Sequence, residues 1–498
     1  MNQLPHENQT KKYMRTLLFG VIQGPDMQTA ARLALEAQPD IDGIELRLDL
    51  FADVNQVDLQ AFMRRCPLPV MLTVRRQHFA LLEALCALAP AYIDLEYDFP
   101  LDLRQQLFEA HPHITFLSSY HDFSSTPEDL QALYNRVKTP YAPITKLAVT
   151  AKTSNDALRM LLFVQEVSKS QEKIIGICMG EEGRASRILA PIAGNYLTYA
   201  PLAHSAESVA LGQLTAKELQ ESYRFRLLTP TTALYALVGD PVDKSLGNLV
   251  HNAVFKRLNL NALYIKIAVR AGDLTAFFAL ALQLPFHGFS VTMPHKEGVV
   301  PLLHDSSSQV QKFGSCNTVV VRDRKMTGFN TDAAGALDAI EQRTKVHGKR
   351  ILFIGAGGSA RALVFEAAER GAHVLVVNRT AEKALELAQT VVGGQGGGVE
   401  LFPEVAAKGY DIIVNCTPSH TPTYEEWILP DTIAMDIVYL PKYTPFLLAA
   451  ARKNCRLVFG YEMFINQAVE QQRIWLCHRQ APCRCFSGQG LSIATFTT

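Results

Sequence analysis

The first 215 residues repeat one pattern, short apolar runs that alternate with helix-like stretches, and this pattern limits the possible folds more than any other feature. The runs recur roughly every 25 residues, as strand–helix units do. They cover residues 17–24, 41–49, 69–75, 91–98, 114–121, 144–150, 173–180 and 195–202. Eight such units predict a closed (β/α)₈ TIM barrel rather than an open doubly wound sheet.

Polar side chains collect at the carboxyl ends of these runs. They are Glu45, Arg47, Arg75, Glu96, His121 and Lys146. Because the carboxyl ends of barrel strands form the face that carries active sites, the sequence predicts a catalytic site at this end of the barrel.

Lys146 lies inside an apolar run, and His121 ends the run before it. Burial lowers the pKa of a lysine, and a neutral amine is what Schiff-base chemistry on a ketone requires. A histidine beside that amine can serve as general acid and base. Two structural interpretations stay open, an ion pair for the lysine and a structural hydrogen bond for the histidine.

A second α/β pattern begins at residue 233, after the segment 215–232 that closes the first unit. The run 350–354 leads into a glycine-rich turn, a helix and a second strand, which is a βαβ dinucleotide-binding unit of the Rossmann type. The glycine run 393–398 is expected to form a loose surface loop. The predicted domains are a barrel over 1–225, a substrate-binding α/β domain over 233–332 completed by helices at about 460–478, a Rossmann domain over 333–459, and a tail over 479–498.

Composition excludes several classes of protein. Lys plus Arg equals Asp plus Glu at 48 each, so the chain has no net basic charge for binding nucleic acid. No apolar stretch is long enough to cross a membrane, and the first 20 residues lack the apolar core of a signal peptide. Nine cysteines, an odd number, are typical of reduced thiols in a cytoplasmic protein. We expect small-molecule substrates and neither nucleic-acid nor membrane partners, and the oligomeric state stays open.

The sequence predicts no metal site. The C-terminal cysteines lack a fourth ligand at zinc-site spacing, and the histidines of the second half match no cysteine or aspartate set. The residues concerned are His251, His287, His295, Cys477, Cys483 and Cys485.

Five short motifs occur in order along the first half of the chain. They are Ile44-Glu-Leu-Arg-Leu-Asp49, Leu72-Thr-Val-Arg75, Ser119-Tyr-His-Asp-Phe123, Thr145-Lys-Leu-Ala-Val149 and Met179-Gly-Glu-Glu-Gly-Arg-Ala-Ser-Arg187. Together they resemble type I 3-dehydroquinate dehydratase over about residues 15–225. The family's acidic, glycine-rich loop after Arg75 is replaced here by Arg76-Gln-His-Phe-Ala80, which carries no acid.

The resemblance implies a role for each matching residue. Lys146 is expected to form an imine with the C3 ketone of dehydroquinate. His121 is expected to take the C2 proton and then to help expel the C1 hydroxyl. Arg187 is expected to hold the substrate carboxylate through a two-pronged contact that suits a guanidinium. The other implied substrate-binding residues are Glu45, Arg47, Arg75 and Gln213.

The glycine-rich turn fits the pattern G-x-G-x-x-A and has the context that the pattern needs, a strand before it and a helix after it. Its residues, all expected to bind a cofactor, are Gly355, Ala356, Gly357, Gly358, Ser359 and Ala360. The second strand ends in Asn378, Arg379 and Thr380, with an arginine where NAD-binding proteins carry an acid. Arg379 therefore predicts NADP(H), because a guanidinium suits the 2′-phosphate. A solvated strand-end arginine is the alternative.

Lys296 follows a strand-like run, and Asp332 precedes a helix-like one. Such a pair can be only a salt bridge, or it can place a proton donor beside a carbonyl that receives hydride.

The motifs around this pair favour the second interpretation. They are Gly239-Asp-Pro-Val-Asp-Lys-Ser245, Val291-Thr-Met-Pro-His-Lys296, Gly314-Ser-Cys-Asn-Thr318, Gly328-Phe-Asn-Thr-Asp332, Val414-Asn-Cys-Thr417 and Gly460-Tyr-Glu-Met-Phe-Ile-Asn-Gln467. With the glycine-rich turn they resemble shikimate dehydrogenase over residues 233–475.

This second resemblance implies Lys296 and Asp332 as the catalytic pair. The implied shikimate-binding residues are Ser245, Thr292, Asn317, Asp332 and Gln467, and the implied nicotinamide-side residues are Tyr439 and Met463. Thr417 is expected to bind the cofactor as well. Gly247 stands where the family has a second serine, which leaves a preference for quinate open.

Together the two halves predict a bifunctional enzyme of the shikimate pathway, in which one half makes the substrate of the other. A Schiff-base aldolase is the enzyme alternative for the barrel. A non-catalytic regulatory module is the alternative for either half.

Overall fold

The structure, a computed structural model, describes residues 15–24, 26–51, 56–202, 213–423 and 425–477. The chain divides into two compact units, and each carries one of the candidate sites. The first unit is Met1–Leu234 with Asn252–Phe286, and the second is Tyr235–His251 with His287–Thr498. The tail predicted over 479–498 lies outside the described residues, and the other predicted domain boundaries stay predictions.

Eight parallel strands of the first unit alternate with helices, as the sequence predicts. The strands are β1 (Leu17–Ile22), β2 (Gly43–Arg47), β3 (Val70–Val74), β4 (Tyr92–Glu96), β5 (Thr115–Asp122), β6 (Ile144–Thr150), β7 (Lys173–Met179) and β8 (Leu197–Pro201). The helices are α1 (Met27–Ala37), α2 (Gln56–Arg65), α3 (Leu82–Cys86), α4 (Leu101–Ala110), α5 (Leu130–Val137), α6 (Ser154–Lys169), α7 (Arg184–Ile188), α8 (Ala190–Ala193) and α9 (Ala216–Tyr223). The strand order β7-β6-β5-β4-β3-β2-β1-β8 is that of a barrel opened at one seam, which confirms the predicted class.

A single asparagine contributes most of the bonding at this seam between β7 and β8. Asn195 Oδ1 accepts a hydrogen bond from the amide of Gly176 at 2.7 Å, and its Nδ2 donates to the carbonyl of the same residue at 3.1 Å. The next amide, of Tyr196, donates to the carbonyl of Ile174 at 2.8 Å. The buried Asn195 side chain therefore pairs with β7 as a neighbouring strand would.

The next part of the chain contains shorter elements. They are β9 (Ala233–Gly239), α10 (Gly247–Arg257), β10 (Ala262–Ala268), α11 (Leu274–Ala281), β11 (Phe286–Val291), α12 (His295–Gly298), β12 (Asp305–Ser306), α13 (Ser308–Phe313), β13 (Thr318–Arg322), β14 (Lys325–Phe329) and α14 (Asp332–Glu341). In the second unit β9, β11, β13, β14 and β12 are neighbours in that order.

A six-stranded parallel sheet follows in the second unit. Its elements are β15 (Arg350–Ile354), α15 (Gly358–Glu369), β16 (His373–Val377), α16 (Ala381–Gln389), β17 (Gln395–Gly397), α17 (Phe402–Lys408), β18 (Ile412–Asn415), β19 (Ile433–Asp436), α18 (Pro445–Arg452), β20 (Arg456–Val458) and α19 (Gly460–Cys477). The strand order β17-β16-β15-β18-β19-β20 is the Rossmann order, with the switch point between β15 and β18.

The expectation of a loose loop over residues 393–398 is wrong, because β17 lies inside it and pairs with β16. A Cβ at Gly396 would lie 2.4 Å from the carbonyl oxygen of Ala384, and one at Gly394 would lie 2.2 Å from that of Ala388. Both carbonyls belong to α16. The glycines are therefore needed for the close approach of this segment to the helix.

Helix α19 packs one face against the strands and helix that carry the second site. A Cβ at Gly335 of α14 would lie 2.9 Å from the amide nitrogen of Gln467, so this glycine allows the two helices to approach closely. Near the other end of α19, the buried Trp475 donates through Nε1 to the carbonyl of Val319 at 3.1 Å. Gly288 makes room for that indole, since its Cβ would lie 2.4 Å from Nε1.

Several compositional expectations can be compared with the described residues. The six cysteines Cys66, Cys86, Cys178, Cys316, Cys416 and Cys455 are free thiols. Among the described helices none is long and apolar enough to cross a membrane. The same part of the chain contains no cluster of His, Cys, Asp or Glu side chains arranged to hold a metal ion.

Candidate active sites

Lys146 of β6 is the centre of the barrel site. Only 4 % of the residue is exposed, and its Nζ donates to Asp94 Oδ2 at 2.7 Å and to Glu45 Oε1 at 3.3 Å. The ammonium also lies 4.4 Å from the centre of the Tyr199 ring, within cation–π range. Glu45 is fixed in turn by the hydroxyl of Thr73 at 2.7 Å. The lysine is thus held by β2, β4 and β8 together.

The expectation that burial lowers the pKa of Lys146 is wrong. Burial does disfavour the ammonium, but the negative charges of Asp94 and Glu45 outweigh it and raise the pKa above its ordinary value. The same charges act in reverse on Asp94, where burial is outweighed by Lys146 and Arg75 and the pKa falls. The resting site therefore contains an ammonium and a carboxylate, and the ion-pair interpretation describes its ground state.

His121, at the end of β5, is held from both sides of its ring. Its Nδ1 lies 3.1 Å from Glu96 Oε1, and its Nε2 lies 3.4 Å from Arg75 Nη2. A guanidinium only donates, so Nε2 is the acceptor and this network assigns the proton to Nδ1. Burial lowers the pKa of His121; the bond to Glu96 opposes this, and the charges of Lys146 and Arg75 add to it. The network and the lowered pKa therefore favour a neutral His121 ring with its lone pair on Nε2.

The predicted arginines fall into two groups. Arg187 is 5 % exposed and forms no ion pair with any described carboxylate; its one described hydrogen bond goes to the Tyr199 carbonyl at 3.4 Å. Burial lowers the pKa of Arg187 to about 10. By contrast Arg47 forms a two-pronged pair with Asp49 at 2.9 and 2.8 Å. A buried guanidinium without a carboxylate partner fits an acidic substrate.

Arg75 also has carboxylate partners. Its Nε lies 3.2 Å from Glu96 Oε1, and its Nη1 lies 3.5 Å from Asp94 Oδ1.

Asp94 is the main residue of this site that sequence reasoning missed. The sequence pattern that could have identified it is the alternation in Tyr92-Ile-Asp-Leu-Glu96, which places the carboxylates of Asp94 and Glu96 on one face of a strand. Gln213 is half-buried and directly follows residues 203–212, which lie outside the described residues.

In the second unit, Lys296 Nζ donates to Asp332 Oδ2 at 2.6 Å and to the Ser359 hydroxyl at 3.3 Å. Asp332 begins α14, where the helix dipole favours a carboxylate. Asn317 donates through Nδ2 to Asp332 Oδ1 at 2.8 Å and to the Thr331 hydroxyl at 3.0 Å. These two bonds use both amide hydrogens of Asn317, so in this structure it holds the Asp332 carboxylate in place.

The other predicted substrate-binding residues of this unit, Ser245, Thr292 and Gln467, each take part in a local hydrogen bond. Gly247 donates its amide to the Ser245 hydroxyl at 3.1 Å, and Thr292 donates its amide to the Val238 carbonyl at 2.9 Å. Gln467 donates to the Phe464 carbonyl at 2.9 Å. The structure therefore describes their local bonding but leaves their contact with a substrate as a prediction.

Sequence reasoning missed one buried residue that bonds to Asn317. Gln471 of α19 accepts from the Ser290 hydroxyl at 2.7 Å and donates to the Asn317 carbonyl at 3.1 Å. It lies four residues after Gln467, on the same helix face. A repeat of glutamines at this spacing was the available signal.

The glycine-rich turn has the shape that a dinucleotide requires. Gly355 has a φ of +111°, which favours glycine, and a Cβ there would lie 2.9 Å from Thr417 Cγ2. A Cβ at Gly357 would meet no described atom within 4 Å, so the backbone at the start of α15 is open to a ligand. Ala360 is fully buried against the sheet. Amides at the start of a helix suit a pyrophosphate.

Residues on both sides of this turn complete the fit to NADP(H). Arg379 is exposed after β16 and forms no ion pair with a described residue, while Asn378 donates to the Thr380 carbonyl at 3.0 Å. On the other side, Thr417 donates through its amide and hydroxyl to Asn415 Oδ1 at 3.0 and 2.7 Å. The free guanidinium suits a phosphate, and the fixed threonine lies beside Gly355.

Two more residues were predicted on the nicotinamide side. The Tyr439 ring stacks on that of Phe464, with ring centres 5.1 Å apart, and burial raises the pKa of Tyr439. Met463 is buried in the core of the Rossmann sheet. Both lie in the unit that contains Lys296.

A barrel with a buried lysine among carboxylates, joined to a Rossmann unit with a Lys–Asp pair, defines an enzyme with two catalytic parts. Comparison with family models agrees. The model for type I 3-dehydroquinase matches residues 18–229. The shikimate dehydrogenase substrate-binding domain matches residues 237–319, and the shikimate/quinate 5-dehydrogenase model matches residues 338–433.

Similar proteins have the same two parts. The Shikimate biosynthesis protein AroDE of Chlamydia pneumoniae is 34% identical over 482 residues, covering 95% of this chain and 98% of that one. The bifunctional 3-dehydroquinate dehydratase/shikimate dehydrogenase of Arabidopsis thaliana, a chloroplastic protein, is 33% identical, covering 87% and 77%. The NADP(+) shikimate dehydrogenase of Moorella thermoacetica is 37% identical and covers 51% of this chain and 90% of its own. The chain belongs to the family of bifunctional 3-dehydroquinate dehydratase/shikimate dehydrogenases.

Proposed function

We propose that the barrel dehydrates 3-dehydroquinate to 3-dehydroshikimate through an imine on Lys146, and that the second unit reduces this product to shikimate with NADPH. The observation that carries the first half is the placement of Lys146 and His121. In the pairing of β5 with β6, Lys146 is opposite Ser119 and His121 is opposite Ala148, so the two catalytic residues lie two positions apart on one face.

In the proposed dehydration, the Lys146 nitrogen forms a bond to the C3 ketone carbon, and the ketone oxygen leaves as water. His121 Nε2 takes a proton from C2, and the electron pair moves toward the iminium nitrogen to give an enamine. The enamine then expels the C1 hydroxyl, which takes the proton from His121 and leaves as water. Hydrolysis of the product iminium restores Lys146.

Binding of the substrate is assigned to the charged residues around these two. Arg187 supplies a buried positive charge that has no carboxylate partner among the described residues, and a substrate carboxylate would neutralise it. Glu45 and Arg47 remain candidates for the ring hydroxyls, and Arg75 for the carboxylate side.

In the second unit, Lys296 and Asp332 hold and move a proton at the oxygen of the substrate carbonyl. NADP(H), when bound, supplies or accepts the hydride. The turn at 355–360 would hold its pyrophosphate, and Arg379 would hold its 2′-phosphate. The direct bond from Lys296 to Asp332 keeps the ammonium oriented for this transfer.

One assay tests both halves together. Purified full-length protein is mixed with 3-dehydroquinate and NADPH, and the loss of NADPH absorbance is followed without any added dehydratase. Turnover requires both activities, whereas turnover with 3-dehydroshikimate but not with 3-dehydroquinate would contradict the barrel half. Relative rates of oxidation of shikimate and quinate measure the preference that Gly247 leaves open.

Trapping tests the imine itself. Borohydride added with 3-dehydroquinate should inactivate the dehydratase, and mass mapping should locate the adduct on Lys146. An adduct on any other lysine would contradict the proposed mechanism.

A further inference from the structure

We propose that Asp94 is the counter-ion of the substrate iminium, a positioning residue that holds Lys146 charged at rest and keeps the imine protonated during dehydration. This inference rests on the proposed imine mechanism and extends it to a residue that sequence reasoning did not single out. Its evidence is the placement of one fully buried carboxylate against the reacting nitrogen.

The contact between Asp94 and Lys146 is the shortest that the lysine makes with a described residue. Asp94 Oδ2 lies 2.7 Å from Nζ, against 3.3 Å for Glu45 Oε1. The Asp94 side chain is wholly buried, so water does not screen its charge. Asp94 Oδ1 accepts no hydrogen bond from a described residue and lies 3.5 Å from Arg75 Nη1. One carboxylate oxygen is therefore committed to the lysine.

The chemistry of imine formation explains why such a carboxylate is useful. An ammonium and a ketone combine to give an iminium and one molecule of water, and two nitrogen-bound hydrogens leave with the ketone oxygen. The nitrogen carries one positive charge before and after the step. A carboxylate that pairs with the ammonium therefore also pairs with the iminium, and only the transient neutral amine lies against an unpaired anion.

The positive charge on the iminium is needed in the next step. Removal of the C2 proton places an electron pair in conjugation with the C3–N bond, and a protonated nitrogen accepts that pair far better than a neutral imine. A buried carboxylate 2.7 Å away favours the charged form, as it does for the resting lysine. Asp94 thereby acts through Lys146 and not on the substrate.

Other groups around Lys146 also influence its charge. The titratable side chains that face it are Asp94 on β4, Glu45 on β2, Arg75 after β3, His121 on β5 and Tyr199 on β8. On β7, the other neighbour of β6, Lys146 is opposite the apolar Ile175. Asp94 is the closest of the two anions, so its removal should cause the largest shift.

The test compares Asp94→Asn with Asp98→Asn in the full-length protein. Asp98 follows the same strand but pairs with Arg76, outside the catalytic residues. Competitive acetylation of Lys146 as a function of pH, read by mass spectrometry, measures the protonation midpoint without substrate. Asp94→Asn should lower this midpoint by about one to three pH units, the effect of a nearby opposite charge. Asp98→Asn should leave it unchanged.

Kinetics then test the role in turnover. Asp94→Asn should lower the kcat of dehydration by about tenfold or more with KM changed less than about threefold, because the loss concerns the iminium and not the bound ketone. Asp94→Glu keeps the charge and should keep a raised midpoint. A midpoint that falls equally in the Asn and Glu variants would show that packing and not charge is responsible, and the proposal would be wrong.

Two controls separate the possible failures. Shikimate oxidation by the same chain and circular dichroism report whether Asp94→Asn is folded. If Asp94→Asn is not folded, the acetylation measurement on the unaltered protein tests the proposal. A Lys146 midpoint at or below the ordinary lysine value of about 10.4 would overturn it. A borohydride adduct on another lysine would overturn the imine mechanism instead, while the acetylation midpoint would still report the effect of Asp94 on Lys146.

Discussion

Lys146 and Lys296 are both paired with an aspartate, but the two side chains differ in exposure and in the groups that they contact. The Lys146 side chain is 5% exposed and contacts two carboxylates and an aromatic ring. The Lys296 side chain is 18% exposed and contacts one carboxylate and one hydroxyl. Under the proposed mechanism Lys146 becomes covalently bound to its substrate, and a fixed, dry environment suits that role. Lys296 would exchange a proton, and its greater exposure suits that role.

The arginines of the two halves repeat this contrast. Arg187 is buried in the barrel, whereas Arg379 is exposed beside the glycine-rich turn. A buried guanidinium binds an anion strongly but must be desolvated on folding. An exposed one binds weakly and reversibly, as suits a cofactor that leaves after each turnover.

The strongest test of the contrast is Lys146→Ala. Dehydration should fall below detection, because no other described side chain at this site supplies the amine, and shikimate oxidation should be unchanged. Coupled assays on one preparation measure both activities. The matched control is Lys152→Ala, which removes an exposed lysine just after β6 and should alter neither. Dehydration that survives in Lys146→Ala would show that the buried lysine is structural.

The reciprocal variant, Lys296→Ala, should have the next largest effect. Loss of a proton-transfer group should lower kcat for shikimate oxidation by about 10²-fold or more. Dehydration should stay within about twofold of the original rate, since the barrel contacts of Lys146 are untouched. A parallel loss of dehydration in folded protein would mean that the two sites depend on one another.

Arg379→Ala tests whether the exposed arginine selects the cofactor. Removing a hydrogen bond to a charged group costs about 1.5–3 kcal/mol, so kcat/KM for NADP should fall by about 10- to 150-fold with that for NAD little changed. Because Arg379 is exposed, the NADP preference should also weaken with rising salt. Equal kcat/KM for the two cofactors in the unaltered protein would remove the argument.

The smallest expected effect concerns Glu96→Gln. Glu96 raises the pKa of His121 against burial, so its loss should lower that pKa further. In the proposed mechanism, dehydration needs neutral His121 and declines as pH falls through this pKa. The acidic limb of the pH–rate profile should therefore move to lower pH. Glu83→Gln, at an exposed carboxylate near His111, is the control, and a limb that moves upward would contradict the assignment.

The sequence predicted the barrel and the Rossmann unit because their strand patterns and glycines are local features. It failed at Lys146, where the desolvation rule alone gave the wrong direction for the pKa. The missing information was the position of Asp94, 52 residues earlier in the chain, which closure of the barrel brings to the lysine. Asn317 and Gln471 show the same limit, since a motif or a glutamine repeat can mark a residue but does not reveal the distant groups to which it bonds.

Helix α19 carries a contact residue at every fourth position. Met463, Gln467, Gln471 and Trp475 lie on it at that spacing, from the Rossmann core to the Asn317 carbonyl and the indole site under β13. One extra residue between Gln467 and Gln471 would rotate Gln471 and Trp475 by about 100° about the helix axis relative to Met463 and Gln467. The length of this helix should therefore tolerate insertion far less than its exposed side chains tolerate substitution.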